Sequence, residues 1–268
     1  MTEHSWYEIR PNMKIAVCLK QVPAKDSLLR INETERWVRE TDLSYEINEP
    51  DAFALEEGLR LKEKHAGEVV VVCAGPARSA SAIREAMAKG ADRGIHVEDA
   101  SLAQSDGYAV ARALAAAVKG ESFDLILTGL QSDDLGYAQT GVVLAHLLGL
   151  PHATIIMEVE KQEGGIKVKR ELEAGWFQYV EMPLPALLTI QSGINKVRYA
   201  TLMGIKKAKT KELKRVTPQE LGLDLTPRQN IRRIYVPQKT KRTELLQGAP
   251  KEAVGALIQK LKFEARVL

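Results

Sequence analysis

Short aliphatic runs alternate with helical patterns from residue 13 to about residue 159, and few architectures accept that order. The runs lie at 14–19, 69–73, 95–98, 125–127 and 153–159, each too short and too continuously apolar for an amphipathic helix. The segments between them repeat at helical spacing. Ala52, Leu55 and Leu59 share one face of 51–65, and Ile83 and Met87 recur four apart in 80–89. Ala111, Leu114, Ala115 and Val118 follow the i, i+3, i+4, i+7 template in 107–119. Strands that are apolar on both faces belong in a parallel sheet covered by helices and joined by right-handed crossovers. The reading is therefore α/β, with a doubly wound, mostly parallel sheet. An aromatic share of 5% fits a core built from Val, Ile and Leu.

Past residue 159 the pattern changes. Gly164-Gly165 marks a turn between the run ending at Val159 and an alternating run at 166–172, and 176–181 alternates in the same way. Pro183 and Pro185 interrupt the chain before the apolar run 186–190. An antiparallel β excursion followed by one more buried strand is expected. Residues 194–203 read as a mixed loop and 206–215 as a basic stretch whose default is a solvated face. Pro218, Pro227 and Pro237 punctuate the remainder, and a helix at 251–264, with Val254, Ile258 and Leu261 on one face, closes the chain. Such an arm has little from which to build a core, so packing on another subunit is expected over a disordered tail. Residues 1–12 hold Glu3 and Glu8 and no apolar block, unlike a secretory signal. They read as an extension before a domain spanning 13–215, with 216–268 as the C-terminal arm.

The strongest functional signal is the stretch 124–141. Its apolar run 125–127 reads as a buried strand that ends at Gly129, crosses a polar loop and enters a helix near Tyr137 carrying Val142, Val143, Leu144, Leu147 and Leu148. Unpaired N–H groups and the positive dipole end of a helix favour phosphate. Gln139, Thr140 and Gly141 are expected on that first turn. In an open parallel sheet, ligands bind beyond the carboxyl ends of the strands, near the switch in strand order. Three further loops reach the same edge: 19–23, 48–51 and 74–76. Asn48 and Asp51 suit either a ligand or a helix N-cap. Four converging loops read as a nucleotide site.

Catalysis finds little support. No G-x-G-x-x-G follows the first strand, and neither G-x-x-x-x-G-K-[ST] nor G-x-S-x-G occurs. The five histidines form no i, i+4 pair, and Cys18 and Cys73 sit in apolar runs as packing residues of a reducing compartment. Asp133 and Asp134 are adjacent, hence splayed, and suit ribose or turn hydrogen bonds better than an acid–base couple. A nucleotide-hydrolysing or ATP-sensing protein is disfavoured by the missing phosphate-binding Gly/Ser loop. The chain reads as a binder without a catalytic residue or a metal site. A net charge of +3 sets up no field that demands nucleic acid, and the basic stretch lacks interleaved aromatics. No apolar run approaches the roughly 20 residues of a membrane span. A soluble cytoplasmic protein is expected. In 195–204, Leu202 and Met203 lie in a loop flanked by charge, an apolar anchor for a transient protein partner.

Several segments together resemble the β subunit of the electron transfer flavoproteins, from about Met13 to Leu225. They are Val17-Cys-Leu-Lys-Gln-Val22, Ala54-Leu-Glu-Glu-Gly-Leu-Arg-Leu-Lys-Glu-Lys64, Gly90-Ala-Asp-Arg-Gly-Ile-His-Val97, 129–141, 168–189 and Val197-Arg-Tyr-Ala-Thr-Leu202. The family's signature region fits 169–189, with Ala174 where an acidic residue or Gly is usual. The resemblance implies an adenine nucleotide alpha hydrolase-like fold and a heterodimer whose α subunit holds the redox-active FAD. The C-terminal arm would pack on that α subunit. It also implies AMP in a buried pocket of this chain, or a second FAD reduced by NADH in electron-bifurcating members. Carried over by residue, the pocket takes Cys18, Asn48, Asp51, Ala74, Asp134, Tyr137, Ala138, Gln139, Thr140, Gly141 and Val142. Arg198, Tyr199, Leu202 and Met203 fall where the family docks acyl-CoA dehydrogenases and other flavin dehydrogenases, with a quinone oxidoreductase receiving the electrons.

The sequence departs from both pocket patterns of that family. Asp134-Leu-Gly-Tyr-Ala-Gln-Thr-Gly141 stands for the Asp-Asp-Asp-Cys-Asn-Gln-Thr-Gly usual with AMP, and Ala138 and Asp51 are as in bifurcating members. Gly136, Tyr137 and Val142 in turn break the bifurcating Gly-Asp-Thr-Ala-Gln-Val-Gly-Pro. AMP is the reading adopted, and a second FAD is its alternative.

Overall fold

The computed structural model describes residues 12–238 and 243–268, so the expected extension lies, apart from Asn12, outside the described residues. By its contacts the chain divides into a large unit reaching Arg232 and a second unit, Arg233–Leu268. The large unit opens with β1 (Met13–Leu19), β2 (Gln21–Pro23), β3 (Tyr45–Ile47), α1 (Glu49–His65), β4 (Gly67–Gly75), α2 (Ala80–Lys89), β5 (Arg93–Glu98) and α3 (Gly107–Val118). It continues with β6 (Leu125–Gly129), α4 (Thr140–Leu148), β7 (His152–Gln162), β8 (Gly165–Glu171) and β9 (Phe177–Pro183). It ends with β10 (Ala186–Ile190), α5 (Leu202–Ala208) and β11 (Leu213–Val216). Nine strands form one sheet in the order β11-β5-β4-β1-β6-β10-β7-β8-β9, and β2 pairs separately with β3. From β11 through β7 every neighbouring pair is parallel, whereas β7, β8 and β9 are antiparallel. The α/β expectation, the antiparallel excursion and the additional buried strand are all present.

Two apolar layers hold the sheet. Because side chains alternate across a strand, Ile15, Val17 and Leu19 of β1 enter one core while Ala16 and Cys18 enter the other. The first core is completed by Leu55 and Leu59 of α1 and by Ile83 and Met87 of α2. The second takes Leu114 of α3 and Leu144 of α4. Each fully buried Leu, Ile or Val contributes about 1.5–3 kcal/mol, so the continuous runs of β1, β4 and β6 supply most of the driving force. Parallel pairing sets Leu19 opposite Cys73, which puts Cys18 and Cys73 on opposite faces of the sheet. Both are free, buried thiols. Charge collects at the amino ends of the strands. There Glu121 joins Lys14 at 2.9 Å and Arg93 at 2.7 Å, and Arg93 also holds Glu68 at 2.7 Å.

The basic stretch 206–215 is not simply a solvated face. Residues 206–208 end α5 and 213–215 belong to β11, a charged strand at the sheet edge, where lysines and arginines discourage further pairing. Its short length and mixed polarity hide it from a periodicity search. In the second unit α6 (Pro250–Gln259) is followed by a π-helical turn, Lys260–Glu264, so Leu261 falls in that turn. Val254, Leu257 and Ile258 are exposed on this unit. Among the described residues no helix is long and apolar enough to cross a membrane.

Leu127, on the central strand β6, has no exposed surface. Leu127→Ala is expected to lower the free energy of unfolding by about 2–5 kcal/mol, seen as a lower urea midpoint with an unchanged slope. A loss below about 1 kcal/mol would contradict close packing at this strand.

Candidate functional site

The chain winds from β1 to β4 and β5 on one side, then returns to β6 on the other, so β1 and β6 flank the switch point. A pocket opens beyond their carboxyl ends. Cys18, Asn48, Asp51, Ala74, Tyr137, Ala138, Gln139, Thr140 and Gly141 line it, as does Lys20. Asp134 lines an adjoining recess, and Val142 is not on the pocket wall. The helix begins later than its apolar pattern implied. α4 starts at Thr140 with Gln139 in the N-cap position, so Tyr137 and Ala138 stand in the preceding loop. Gly136 and Ala138 have φ of 64° and 53°, left-handed values that a right-handed helix cannot contain. For Ala138 that conformation costs about 1–2 kcal/mol.

Asp51 is more than a helix cap. Its carboxylate accepts the backbone N–H of Lys20 at 2.7 Å and of Gly129 at 2.9 Å, tying the ends of β1 and β6 to the first turn of α1. The fit demands glycine: a Cβ at residue 129 would lie 2.4 Å from Asp51 Oδ1 and 2.7 Å from its amide nitrogen. Asn48 occupies the N-cap position of α1 without a side-chain cap bond. Instead its amide donates to the carbonyl of Gln131 and its oxygen accepts the N–H of Asp133, at 2.9 and 2.8 Å, holding the β6–α4 loop. Asp133 and Asp134 do splay: Asp133 accepts the N–H of Glu49, and Asp134 pairs with Lys20 at 2.6 Å. Burial pushes the Asp51 carboxyl up to about 7 against the pull of its two N–H donors. Burial likewise raises the thiols, Cys73 to about 12 and Cys18 further, so neither is a thiolate nucleophile.

Two helix N-termini meet beside the pocket. Asp106 caps α3 by accepting the N–H of Ala109 at 2.8 Å, and Gly107 abuts Thr140, whose Oγ1 would lie 3.2 Å from a Cβ there. Gly141 lets α4 settle on β6 and β10, since a Cβ would lie 2.6 Å from Thr128 Oγ1. Among the described residues Lys20 is the only lining Lys or Arg, and it is engaged by Asp134. An anion here meets backbone N–H groups and dipole ends rather than a cationic cluster. Leu102, Val110 and Leu114 supply an apolar wall for a flat ring. These residues fit an adenosine bearing a phosphate.

The loop after β5 and the start of α3 were missed as pocket wall. Two signals mark them: Asp99 accepts the N–H of Ser101, and Asp106 caps α3, so 99–107 is another capped strand-to-helix loop at the same sheet edge. Away from the pocket, Tyr199, Leu202 and Met203 are 91%, 83% and 62% exposed. Leu202 and Met203 are not in a loop but open α5, which Thr201 caps through the N–H of Gly204. Arg198 parts from this group: its guanidinium lies on Glu56 and Glu63 of α1.

Because the Asp51 pKa is raised from 3.8 to about 7, its contribution to stability is fully present below about pH 4 and is lost as pH rises through 7. Asp51→Asn does not titrate and turns an amide N–H toward a backbone donor, costing about 1–3 kcal/mol at acid pH. Urea unfolding from pH 4 to 8 is expected to show the gap between wild type and variant narrowing as pH rises; a constant gap contradicts this role.

The model of the electron transfer flavoprotein domain family matches residues 36–221. An electron transfer flavoprotein subunit beta from Methylophilus methylotrophus is 40% identical, over 92% of this chain and 97% of its own length. The Homo sapiens protein of that name is 35% identical over 95% and 99%. The rice protein (Oryza sativa subsp. indica), named as mitochondrial, is 36% identical over 96% and 100%. With the switch-point pocket on a doubly wound sheet, these likenesses establish that the chain belongs to the electron transfer flavoprotein family, among its β subunits.

Proposed function

We propose that this chain is the β half of a two-chain electron carrier. It holds AMP at its strand tips and pairs with an α subunit carrying the redox-active FAD, which supplies the electron-transfer chemistry when bound. The reading rests on the meeting of the α3 and α4 N-termini beside an apolar wall. Thr140 and the backbone N–H groups of Thr140 and Gly141 would seat the phosphate, and Leu102, Val110 and Leu114 would cover the adenine. Asp51, half neutral near pH 7, places less charge beside a phosphate than an ionised carboxylate would. The pocket thus binds and orients; no residue in it is placed to move electrons. Leu202 is the docking anchor for flavin dehydrogenases such as acyl-CoA dehydrogenases, and a quinone oxidoreductase accepts the electrons in turn. In support, Tyr199, Leu202 and Met203 form an exposed apolar group that shares no residue with the pocket.

One observation favours a second reading. The recess beside the pocket shares Lys20, Ala74, Leu102 and Ala103 with it and adds Trp37, Tyr45 and Arg78. A ligand longer than AMP, such as a second FAD reduced by NADH, would have aromatic and cationic groups to lie against there.

Mass spectrometry of small molecules released from the denatured heterodimer is expected to give one AMP and one FAD. Two FAD without AMP selects the second reading, and neither adenylate nor flavin defeats both. In the same heterodimer Leu202→Ala is expected to raise the dehydrogenase KM about tenfold, the loss of roughly one buried anchor, with FAD content unchanged. Unaltered reduction kinetics would remove Leu202 from the docking surface.

A further inference from the structure

Residues 191–200 have no regular secondary structure, yet they are fixed to α1 at several points. Asn195 donates to the carbonyl of Phe53 and to Glu57, both at 3.1 Å. Arg198 lies two-pronged on Glu56, with Nε 2.8 Å from Oε2 and its second guanidinium nitrogen 3.0 Å from Oε1. The same guanidinium reaches both oxygens of Glu63, at 2.5 and 3.1 Å, and the Arg198 N–H adds a bond to Glu56. Glu56 is buried, so a guanidinium that matches its carboxylate in plane and charge is hard to replace. On the far side of the exposed residues a second set of ties begins. Arg84 of α2 donates to the carbonyls of Ala208 and Lys211, and Lys211 donates back to those of Met87 and Ala91. Gly204 sits so close to the carbonyl of Ala88 that a Cβ would lie 2.2 Å from it.

Tyr199, Leu202 and Met203 therefore project from a bracket pinned at both ends. We infer that Arg198 is a positioning residue for the docking surface: through Glu56 and Glu63 it holds this apolar tip in the shape that the dehydrogenase binds. It does not itself meet the partner. The inference rests on the docking role proposed for Leu202. A tip ordered before encounter loses less freedom on binding, so the bracket acts on affinity and not on electron transfer once the complex has formed.

The test uses the purified heterodimer, reduced by an acyl-CoA dehydrogenase with its acyl-CoA, with bound nucleotide and FAD measured in each variant. Arg198→Ala is expected to raise KM about tenfold while kcat stays within about twofold, and Arg198→Lys, which keeps the charge but loses the two-pronged match, to raise KM about threefold. Glu63→Gln, at an exposed site that does not threaten folding, is expected to raise KM about threefold. If Leu202→Ala raises KM but Arg198→Ala and Glu63→Gln do not, the positioning role is overturned and the docking role stands. A fall in kcat at unchanged KM also overturns it. If none of the variants, Leu202→Ala included, alters KM, the docking role fails and this inference with it.

Discussion

One buried carboxylate organises the pocket end of the large unit. Asp51 receives the N–H of Lys20, one residue past β1, and that of Gly129, which ends β6; these two strands flank the switch in strand order. The helix that follows β1 and β3 packs on one face of the sheet and the helix that follows β6 on the other, and the crevice opens where these connections part. Asp51 accepts from both sides of it and so ties them together. The clamp succeeds only because residue 129 lacks a side chain and because α1 begins at that height. Desolvation keeps the carboxyl close to half-neutral at pH 7, so the clamp contributes little field of its own.

The electrostatics of the large unit are sorted along the strands. Ion pairs among Lys14, Glu68, Arg93 and Glu121 lie at the amino ends, far from the pocket. At the carboxyl ends Lys20 and Asp134 neutralise each other. What remains to meet an anion is the set of N–H groups opening α3 and α4. Such donors are fixed in place by the helices themselves and need no side chain to be ordered on binding.

α1 underlies both proposed regions. Its first turn carries Asp51 beneath the pocket, its middle carries Glu56 and its last turn Glu63, and these two glutamates hold Arg198. The proposed nucleotide seat and docking bracket are thereby fixed to one rod that packs on β1 and β6 through Leu55 and Leu59. One common support therefore carries the pocket and the exposed apolar tip without any residue belonging to both.

Local patterns carried the sequence a long way. Aliphatic runs of three to seven residues separated by helical spacing determine a parallel sheet with two cores, since helices can then bury both faces of such strands. Gly129 through Gly141 marked the pocket because turn and helix-start chemistry is local too. Four features depended on tertiary structure. β11 is a strand because β5 offers an open edge, not because Leu213-Lys-Arg-Val216 has a strand pattern. The wall from Leu102 to Leu114 joins the pocket only once β5 lies beside β4. Asp51 finds its donors 31 and 78 residues away, and Arg198 reaches α1 across more than 130 positions. Periodicity reports how a segment meets water and core; pairing between charges or strand tips far apart in the chain is settled only when the sheet brings them together.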